Sequence, residues 1–144
     1  MESQKKKSGN KYDSSSALLQ GVGLRPTKQR LALAGWLFDG CDKHVTAEHA
    51  YAAAAKRRSS ISLATIYNTL NIFTTAGLLR QVVIDGGHIY FDTNTSAHHH
   101  LFDEKKRLLT DIPASAVRLA RLPKLPSGTT LSRVDVVLRV QSRS

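Results

Sequence analysis

The chain has 144 residues, of which 41% are hydrophobic and 22% are charged. These proportions are ordinary for a folded protein and exclude a fibrous or a generally disordered chain. With 21 Lys and Arg against 11 Asp and Glu, the net charge is +10, which favours a polyanion such as nucleic acid as the partner.

Membrane and disulfide chemistry are not expected. The sequence has no apolar run near the ~20 residues that a membrane-spanning helix needs, and its first residues are lysines and polar side chains instead of an apolar signal segment. We therefore expect a cytoplasmic protein. Cys41 is the only cysteine, so neither an internal disulfide nor a four-cysteine zinc site can form within one chain.

The N-terminal half predicts a series of short helices. Residues 1–16 are polar and predict a flexible arm, and a short helix is expected to begin at Ser16. Pro26 suits the first turn of a second helix. The segment 41–45 predicts a loop, after which Thr46 caps a third helix that is rich in alanine.

The fourth predicted helix lies within residues 61–79, where Ser62 is a suitable N-cap and Gly77 a suitable end. Apolar residues recur with the 3.6-residue period of a helix, at Leu63, Ile66, Leu70 and Phe73. Small and polar side chains occupy the rest of its surface, among them Thr65, Tyr67 and Asn68. Asn can bond an adenine edge, and Thr or Tyr can contact a thymine methyl, so this surface suits a DNA groove. An ordinary surface helix is the alternative.

Two β-rich segments follow this helix. Residues 79–84 and 88–91 flank Asp85-Gly86-Gly87, which predicts a β-hairpin. Short helices followed by a hairpin are typical of a winged helix-turn-helix, in which the last helix reads DNA and the hairpin is the wing. We therefore predict a winged-helix DNA-binding domain over residues 17–92 and a hinge over residues 93–97.

The C-terminal part predicts a second, smaller domain. Residues 108–112 predict a strand, residues 113–122 a short helix, and residues 129–141 another strand. A segment this short cannot bury its own apolar faces, so we predict that residues 98–144 form an α/β dimerisation domain of a homodimer. The expected fold class is α+β.

The triplet His98–His100 is the clearest candidate for ligand binding. Imidazoles bind zinc, iron and manganese, and carboxylates are further donors for divalent ions. The other candidate donors are His44, Asp92 and Asp111. Sequence spacing alone does not bring these residues together, and a solvated polar loop is the alternative for the triplet.

A family resemblance rests on six segments that occur in order: GLRPTKQRLALAGWL, HVTAEHAY, ISLATIYNTLNIFTTAGLL, GGHIYFD, HHH and LLTDIP. Together they resemble the ferric uptake regulator family, closely over residues 19–113 and loosely beyond. The HHH triplet, the LLTDIP ending and the lack of CxxC pairs are similar to the iron-response regulator branch, whose members control iron and haem genes and respond to haem.

The resemblance implies a dimeric repressor with a regulatory metal site where its two domains meet. Carried over residue by residue, this site comprises His44, Asp92, His98, His100 and Asp111. Such a donor set suits iron, manganese or zinc. The structural zinc that family members hold with two CxxC pairs is excluded, because Cys41 stands alone. The iron-response branch associates the triplet with haem, so the candidate haem ligands are His98, His99 and His100.

The resemblance also implies DNA contacts. Tyr67 and Asn68 lie at the family's base-contacting positions, and Arg25 lies where members place a basic residue in the adjacent minor groove. The alternatives are that Tyr67 packs on the wing and that Arg25 is a solvated charge before a helix. Asn prefers adenine, whereas the iron-uptake branch usually has Arg at this position, so we expect an A/T-rich, pseudo-palindromic operator. The candidate phosphate contacts are Lys28, Lys56, Arg57, Arg58 and Arg80.

Three functions remain open at this point. The first is a transcriptional regulator of iron and haem metabolism, controlled by divalent metal at the five-residue site and by haem at the triplet. The second is a peroxide-sensing repressor in which iron-dependent oxidation modifies a ligand histidine. The third is a metal-dependent enzyme that uses the triplet, but no HExxH motif, P-loop or catalytic triad accompanies it, so we do not expect an enzyme.

Overall fold

The computed structural model of the protein describes residues 11–85 and 88–143. These residues form two compact units, the first ending at Thr95 and the second beginning at Ser96. Both units contain strands, and the first also contains helices, which confirms the predicted α+β class. Within the described ranges, no helix combines the length and the apolar character needed to cross a bilayer.

Four helices lie in the first unit: α1 (Lys11–Gly21), α2 (Lys28–Leu37), α3 (Ala47–Lys56) and α4 (Leu63–Thr75). Thr27, Thr46 and Ser62 cap α2, α3 and α4, since each side chain accepts a hydrogen bond from the backbone N–H three residues further on. Helices α2, α3 and α4 are the helices that the sequence predicts. The expectation that Pro26 lies in the first turn of α2 is wrong, since the helix begins at Lys28, after the Thr27 cap.

Helix α1 begins earlier than predicted and includes the end of the expected flexible arm. The polar composition does not predict the start of this helix, because its contact with α2 uses small side chains instead of an apolar stripe. Ser15 is buried, and its Oγ lies 3.7 Å from the position that a Cβ at Gly35 would occupy. Leu19 is fully buried one turn further along. Residues 1–10 of the predicted arm lie outside the described residues.

A three-stranded antiparallel sheet completes the first unit, with the strand order β1-β3-β2. Its strands are β1 (His44–Val45), β2 (Arg80–Asp85) and β3 (His88–Asp92). Strands β2 and β3 confirm the predicted hairpin, whose Gly86-Gly87 turn lies outside the described residues. Strand β1 corrects the prediction of a loop at 41–45, because two residues are too few to show an alternating pattern.

The core of the first unit is built from residues of all four helices and the sheet, including Leu19, Leu37, Ala50, Leu70, Phe73 and Phe91. In α4 the buried positions are Ile66, Thr69, Leu70 and Phe73. The expectation that Leu63 belongs to this buried stripe is wrong, since its side chain is 41% exposed. Helical periodicity shows which face a residue shares, but it does not show where along the helix the core ends.

The second unit contains a three-stranded sheet with the order β5-β4-β6. Strand β4 (His98–Asp103) pairs antiparallel with β5 (Leu108–Pro113) and parallel with β6 (Val137–Val140). Strand β5 confirms the strand predicted at 108–112. The strand predicted at 129–141 is present only in its last third, as β6.

The helix predicted over residues 113–122 is wrong. A single 3-10 turn forms at Ala114–Ala116, and the chain then has no regular helix or strand until β6. The leucines of this segment are 41–49% exposed: Leu119, Leu122, Leu125 and Leu131. A short helix is marginal in water without a packed apolar face, and these side chains do not pack into a core within the described chain.

Candidate functional site

Strands β1 and β3 bring an imidazole and a carboxylate together in the first unit. Their register places His44 opposite Asp92, and Nε2 of His44 lies 3.1 Å from Oδ2 of Asp92. The pairing continues at Thr93, whose N–H donates to the carbonyl of Lys43 at 3.0 Å, while the N–H of Lys43 donates to Oγ1 of Thr93 at 2.9 Å. Oδ1 of Asp92 accepts from the N–H of Asn94 at 2.9 Å. The fully buried Asp92 carboxylate is therefore held in one orientation.

Strands β4 and β5 form a second cluster, in the second unit. Side chains alternate along a strand, so His98 and His100 share a face of β4 that His99 does not. The Nε2 atoms of His98 and His100 are 3.0 Å apart. Oδ1 of Asp111, which lies opposite His100 on β5, is 3.2 Å from Nε2 of His98 and 3.5 Å from Nε2 of His100. Both histidines are buried, and Asp111 lies at the surface.

The backbone carbonyl of Ser96 fixes which ring nitrogen of His98 carries the proton. Its Nδ1 lies 2.6 Å from the carbonyl oxygen of Ser96, which can only accept, so Nδ1 carries a proton. In the neutral ring Nε2 then presents a lone pair to His100 and Asp111. Metal-binding histidines usually donate their other ring N–H to a carbonyl or a carboxylate in this way. The cluster therefore fits a cation by its chemistry.

His99 has a different partner. Its Nδ1 accepts a hydrogen bond from the N–H of Val136 at 3.3 Å, so in the neutral ring the proton is on Nε2. Through this bond His99 holds the segment that precedes β6. It therefore stands apart from the cluster of His98, His100 and Asp111.

The side chains predicted to contact bases lie on α4. Tyr67 is 39% exposed, and its ring packs edge-on against Phe91 of β3, with centroids 6.3 Å apart and an interplanar angle of 86°. Asn68 is exposed. Thr65 is half-buried and belongs to the helix cap, since its Oγ1 accepts from Oγ of Ser62 at 2.9 Å.

Arg25 is exposed in the loop before α2, and its backbone is fixed by two hydrogen bonds. Its carbonyl accepts from the N–H of Thr27 at 3.0 Å and from Nη1 of Arg30, also at 3.0 Å. Thr27 in turn caps α2 by accepting from the N–H of Arg30. Arg30 was not predicted to have a role, because a bond from a side chain to a backbone carbonyl five residues earlier leaves no sequence pattern.

The burial of Arg80 contradicts the prediction that this residue contacts a DNA phosphate. Arg80 is only 5% exposed at the start of β2, where it lies opposite Asp92 in the sheet register. A side chain this buried cannot reach a DNA backbone from the surface. The other candidate phosphate contacts are exposed: Lys28, Lys56, Arg57 and Arg58.

Comparison with known proteins identifies the family. The model of the "Ferric uptake regulator family" matches residues 21–118. A peroxide-responsive repressor PerR of Staphylococcus epidermidis is 33% identical over 102 residues, which cover 71% of this chain and 67% of that protein. A PerR of Staphylococcus aureus strain Mu50 is 32% identical over 102 residues, which cover 71% of this chain and 68% of that protein.

Solved structures agree with this match. The ferric uptake regulator of Pseudomonas aeruginosa with manganese has a TM-score of 0.67 and 25% identity, covering 90% of this chain and 98% of that one. The Vibrio cholerae ferric uptake regulator has a TM-score of 0.69 and 22% identity, covering 88% and 98%, and shows likeness of fold alone.

The fold is that of a winged-helix DNA-binding regulator with an additional unit built on a three-stranded sheet. The chain belongs to the ferric uptake regulator family, whose members are metal-dependent transcription regulators and not enzymes. The predicted family and the expectation of a non-enzyme are thereby confirmed. The curated relatives described here are peroxide-responsive, and the assignment to the iron-response branch stays a prediction.

Proposed function

We propose that this protein is a repressor whose affinity for DNA is set by a divalent metal ion. The proposed ligands are His44, Asp92, His98, His100 and Asp111. The observation that carries the proposal is that each unit contains its own cluster of imidazole and carboxylate donors, built on paired strands and largely buried. Three imidazoles and two carboxylates suit Fe(II), Mn(II) or Zn(II). The similar regulator of Pseudomonas aeruginosa was solved with manganese.

The proposed coupling follows from the division of the ligands between the units. An ion that takes ligands from both clusters favours one arrangement of the units over the others, because only that arrangement satisfies all five donors. In a homodimer the arrangement sets the spacing between the two α4 helices, and hence the fit to two half-sites. The ion itself supplies the positive charge that offsets the two carboxylates.

The proposed partner is an A/T-rich, pseudo-palindromic DNA operator, bound by a homodimer in the cytoplasm. Exposed Asn68 on α4 favours adenine, and exposed Arg25 favours the narrow minor groove of A/T-rich sequences. The charge of +10 supports association with a polyanion. The exposed leucines between η1, the 3-10 turn at Ala114–Ala116, and β6 support burial against a second copy.

A titration with Mn(II) tests this function. A fluorescent duplex is first selected by the wild-type protein from a randomised pool in the presence of Mn(II), and its affinity is then measured with increasing Mn(II). We expect the affinity of the wild type to change with Mn(II) and that of His44→Ala to stay constant. His88→Ala is the matched control, because His88 is an exposed histidine on β3 outside both clusters. An equal response of His44→Ala and wild type would refute the proposal.

Peroxide sensing is the second candidate function. It is favoured by the sequence identity that this chain shares with two peroxide-responsive repressors. In the proposed sensing reaction, one oxygen atom of hydrogen peroxide is added to the imidazole ring of a ligand histidine, and the other leaves as water. We expect the iron-loaded protein to gain one oxygen atom on His44 or His98 after mild peroxide treatment. Peptide mass spectrometry measures this, with the manganese-loaded protein as control. Unmodified histidines in the iron-loaded protein would exclude peroxide sensing.

Haem regulation through His98, His99 and His100 is the proposal specific to the iron-response branch. His98 and His100 belong to the metal cluster, so haem and metal would compete for them. His99 already uses Nδ1 to accept from Val136, and ligation through Nε2 requires that nitrogen to lose its proton. Haemin titration of the DNA complex should release the wild type but not the variant with all three histidines changed to Ala. Equal release of both would exclude the triplet.

A further inference from the structure

The side chain of Leu63, the first residue of α4, is apolar and 41% exposed. The first turn of α4 forms without any need for an exposed apolar side chain at this position. Ser62 already provides the cap, and Ile61 packs against the core cluster that contains Ile66, which are the two positions of a hydrophobic staple. Leu63 therefore leaves a substantial part of its apolar surface in water at the start of the helix.

Leu63 extends the surface of α4 that we proposed to read DNA. Residues four positions apart lie on the same side of a helix, so Leu63 neighbours the exposed Tyr67. Ala64 and Asn68 are exposed on the same first turns. In helix-turn-helix proteins the N-terminal residues of the reading helix are the ones that contact base edges.

An apolar side chain has one specific partner in the major groove. Thymine presents its C5 methyl there, whereas the other characteristic groups on the base edges are hydrogen-bond donors and acceptors. Contact between a leucine and this methyl removes both apolar groups from water. The partner that fits Leu63 is therefore a thymine.

We propose that Leu63 is a specificity-determining residue that recognises a thymine methyl in the operator. The inference rests on the proposed DNA-binding function and adds a second means of selecting A·T pairs. Asn68 reads an adenine through hydrogen bonds, and Leu63 reads a thymine through apolar contact. The two readings are separable, because the methyl can be removed from DNA without changing base pairing.

The experiment replaces thymine by deoxyuridine, which lacks only the methyl. Thymines in the duplex selected by the wild type are replaced one at a time, and affinities are measured for the wild type, Leu63→Ala and Leu63→Met. We expect one position per half-site at which deoxyuridine weakens wild-type binding about fourfold, the factor for one methyl-sized group left unburied. Leu63→Ala should bind both duplexes equally at that position, and Leu63→Met should retain discrimination.

Leu108→Ala is the matched control, since Leu108 is 54% exposed on β5 in the other unit. It should discriminate as the wild type does at every position. Ala favours a helix, so Leu63→Ala should fold, and its circular dichroism should equal that of the wild type. If Leu63→Ala keeps the full deoxyuridine effect at every thymine, the inference is wrong while DNA binding stands. Failure of the wild type to select any duplex would overturn both.

Discussion

At the scale of single residues, Asn68 offers the most direct test of base preference. Its amide is exposed on α4 and can bond adenine bidentately, whereas an arginine at the same position favours guanine. Asn68→Arg should therefore shift the preferred base at one position of each half-site, by about 1–3 kcal/mol, and should change total affinity less. Sequencing of duplexes selected by each variant measures the shift.

The control for added charge is Gln29→Arg, which places a guanidinium at an exposed position of α2. It should alter affinity and salt dependence without altering the preferred bases. An Asn68→Arg protein with the wild-type operator preference would show that α4 does not read bases at this position.

Arg30 yields a second prediction at this scale. It donates to the carbonyl of Arg25, so its loss should free the loop that presents Arg25 to the minor groove. Arg30→Met should weaken binding about fivefold, as expected for one hydrogen bond, and the double variant with Arg25→Ala should be no weaker than Arg25→Ala alone.

Adenines replaced by 2,6-diaminopurine separate this role from general folding, because the extra amino group obstructs only the minor groove. The wild type should be sensitive to the replacement and Arg30→Met much less so. Lys28→Met, which removes an exposed charge from the same helix, should keep the wild-type sensitivity and add to the effect of Arg25→Ala. Additivity of Arg30→Met with Arg25→Ala would contradict the positioning role.

At the scale of helices and strands, the sequence predicts the helix caps whose hydrogen bonds are local. Thr46 and Ser62 cap their helices through bonds that span three residues, and the sequence predicts both. Strand β1 was not predictable, because its pairing depends on β3 and on Thr93, far along the chain. The helix predicted at 113–122 is wrong for a different reason, since its exposed leucines have no core to pack against within residues 11–85 and 88–143.

Asp103, at the end of β4, ties two segments of the second unit together. Its carboxylate accepts from the N–H groups of Lys105 and Lys106, each at 3.0 Å, and from the hydroxyl of Ser142. The bond from Ser142 is the main cause of a lowered pKa of Asp103, followed by the bond from Lys106. The β4–β5 turn and the segment after β6 are therefore held most strongly when this carboxylate is ionised.

The direction of this shift predicts how stability depends on pH. Because the pKa of Asp103 is lower in the folded state, its contribution is complete above the unfolded value of about 4 and is lost as the pH falls through the folded value. Asp103→Asn should be less stable than the wild type at neutral pH and should lose less stability on acidification. Urea unfolding at neutral and at acidic pH measures the free energy of unfolding of each protein. Asp42→Asn, at an exposed position, is the control. An equal acid dependence of Asp103→Asn and wild type would contradict it.

At the scale of the whole molecule, the two donor clusters are unequal, which predicts two classes of variant. The second unit offers three donors with His98 oriented by Ser96, whereas the first offers His44 and Asp92. His100→Ala should therefore abolish tight Mn(II) binding. Asp92→Ala should keep measurable Mn(II) binding but lose the effect of Mn(II) on DNA affinity.

Competition with a fluorescent chelator measures metal affinity without DNA, and duplex titration then measures the response. His88→Ala should behave as the wild type in both assays. Equal metal affinities of His100→Ala and Asp92→Ala would show that the cluster in the second unit does not contribute more to metal affinity than the cluster in the first unit.

The sequence predicts the class of the whole molecule better than its candidate site. Charge, helix pattern and hairpin together predict a DNA-binding protein of α+β class, because each rests on many residues. The proposed ligand set came from family resemblance, since no spacing rule joins His44 to Asp92 or His100 to Asp111 before the strand registers are known.

Strand β1 has two residues, yet it controls whether the DNA-reading unit presents a donor pair at all. A shift of its pairing by one residue would turn His44 away from Asp92 and place its neighbour there. The cap of α4 does not depend on this pairing, because it is a local bond between Ser62 and Thr65. On the proposed ligand set, loss of His44 alone would remove the response to metal and leave the residues of α4 in place, so that metal sensing and DNA recognition can change separately in evolution.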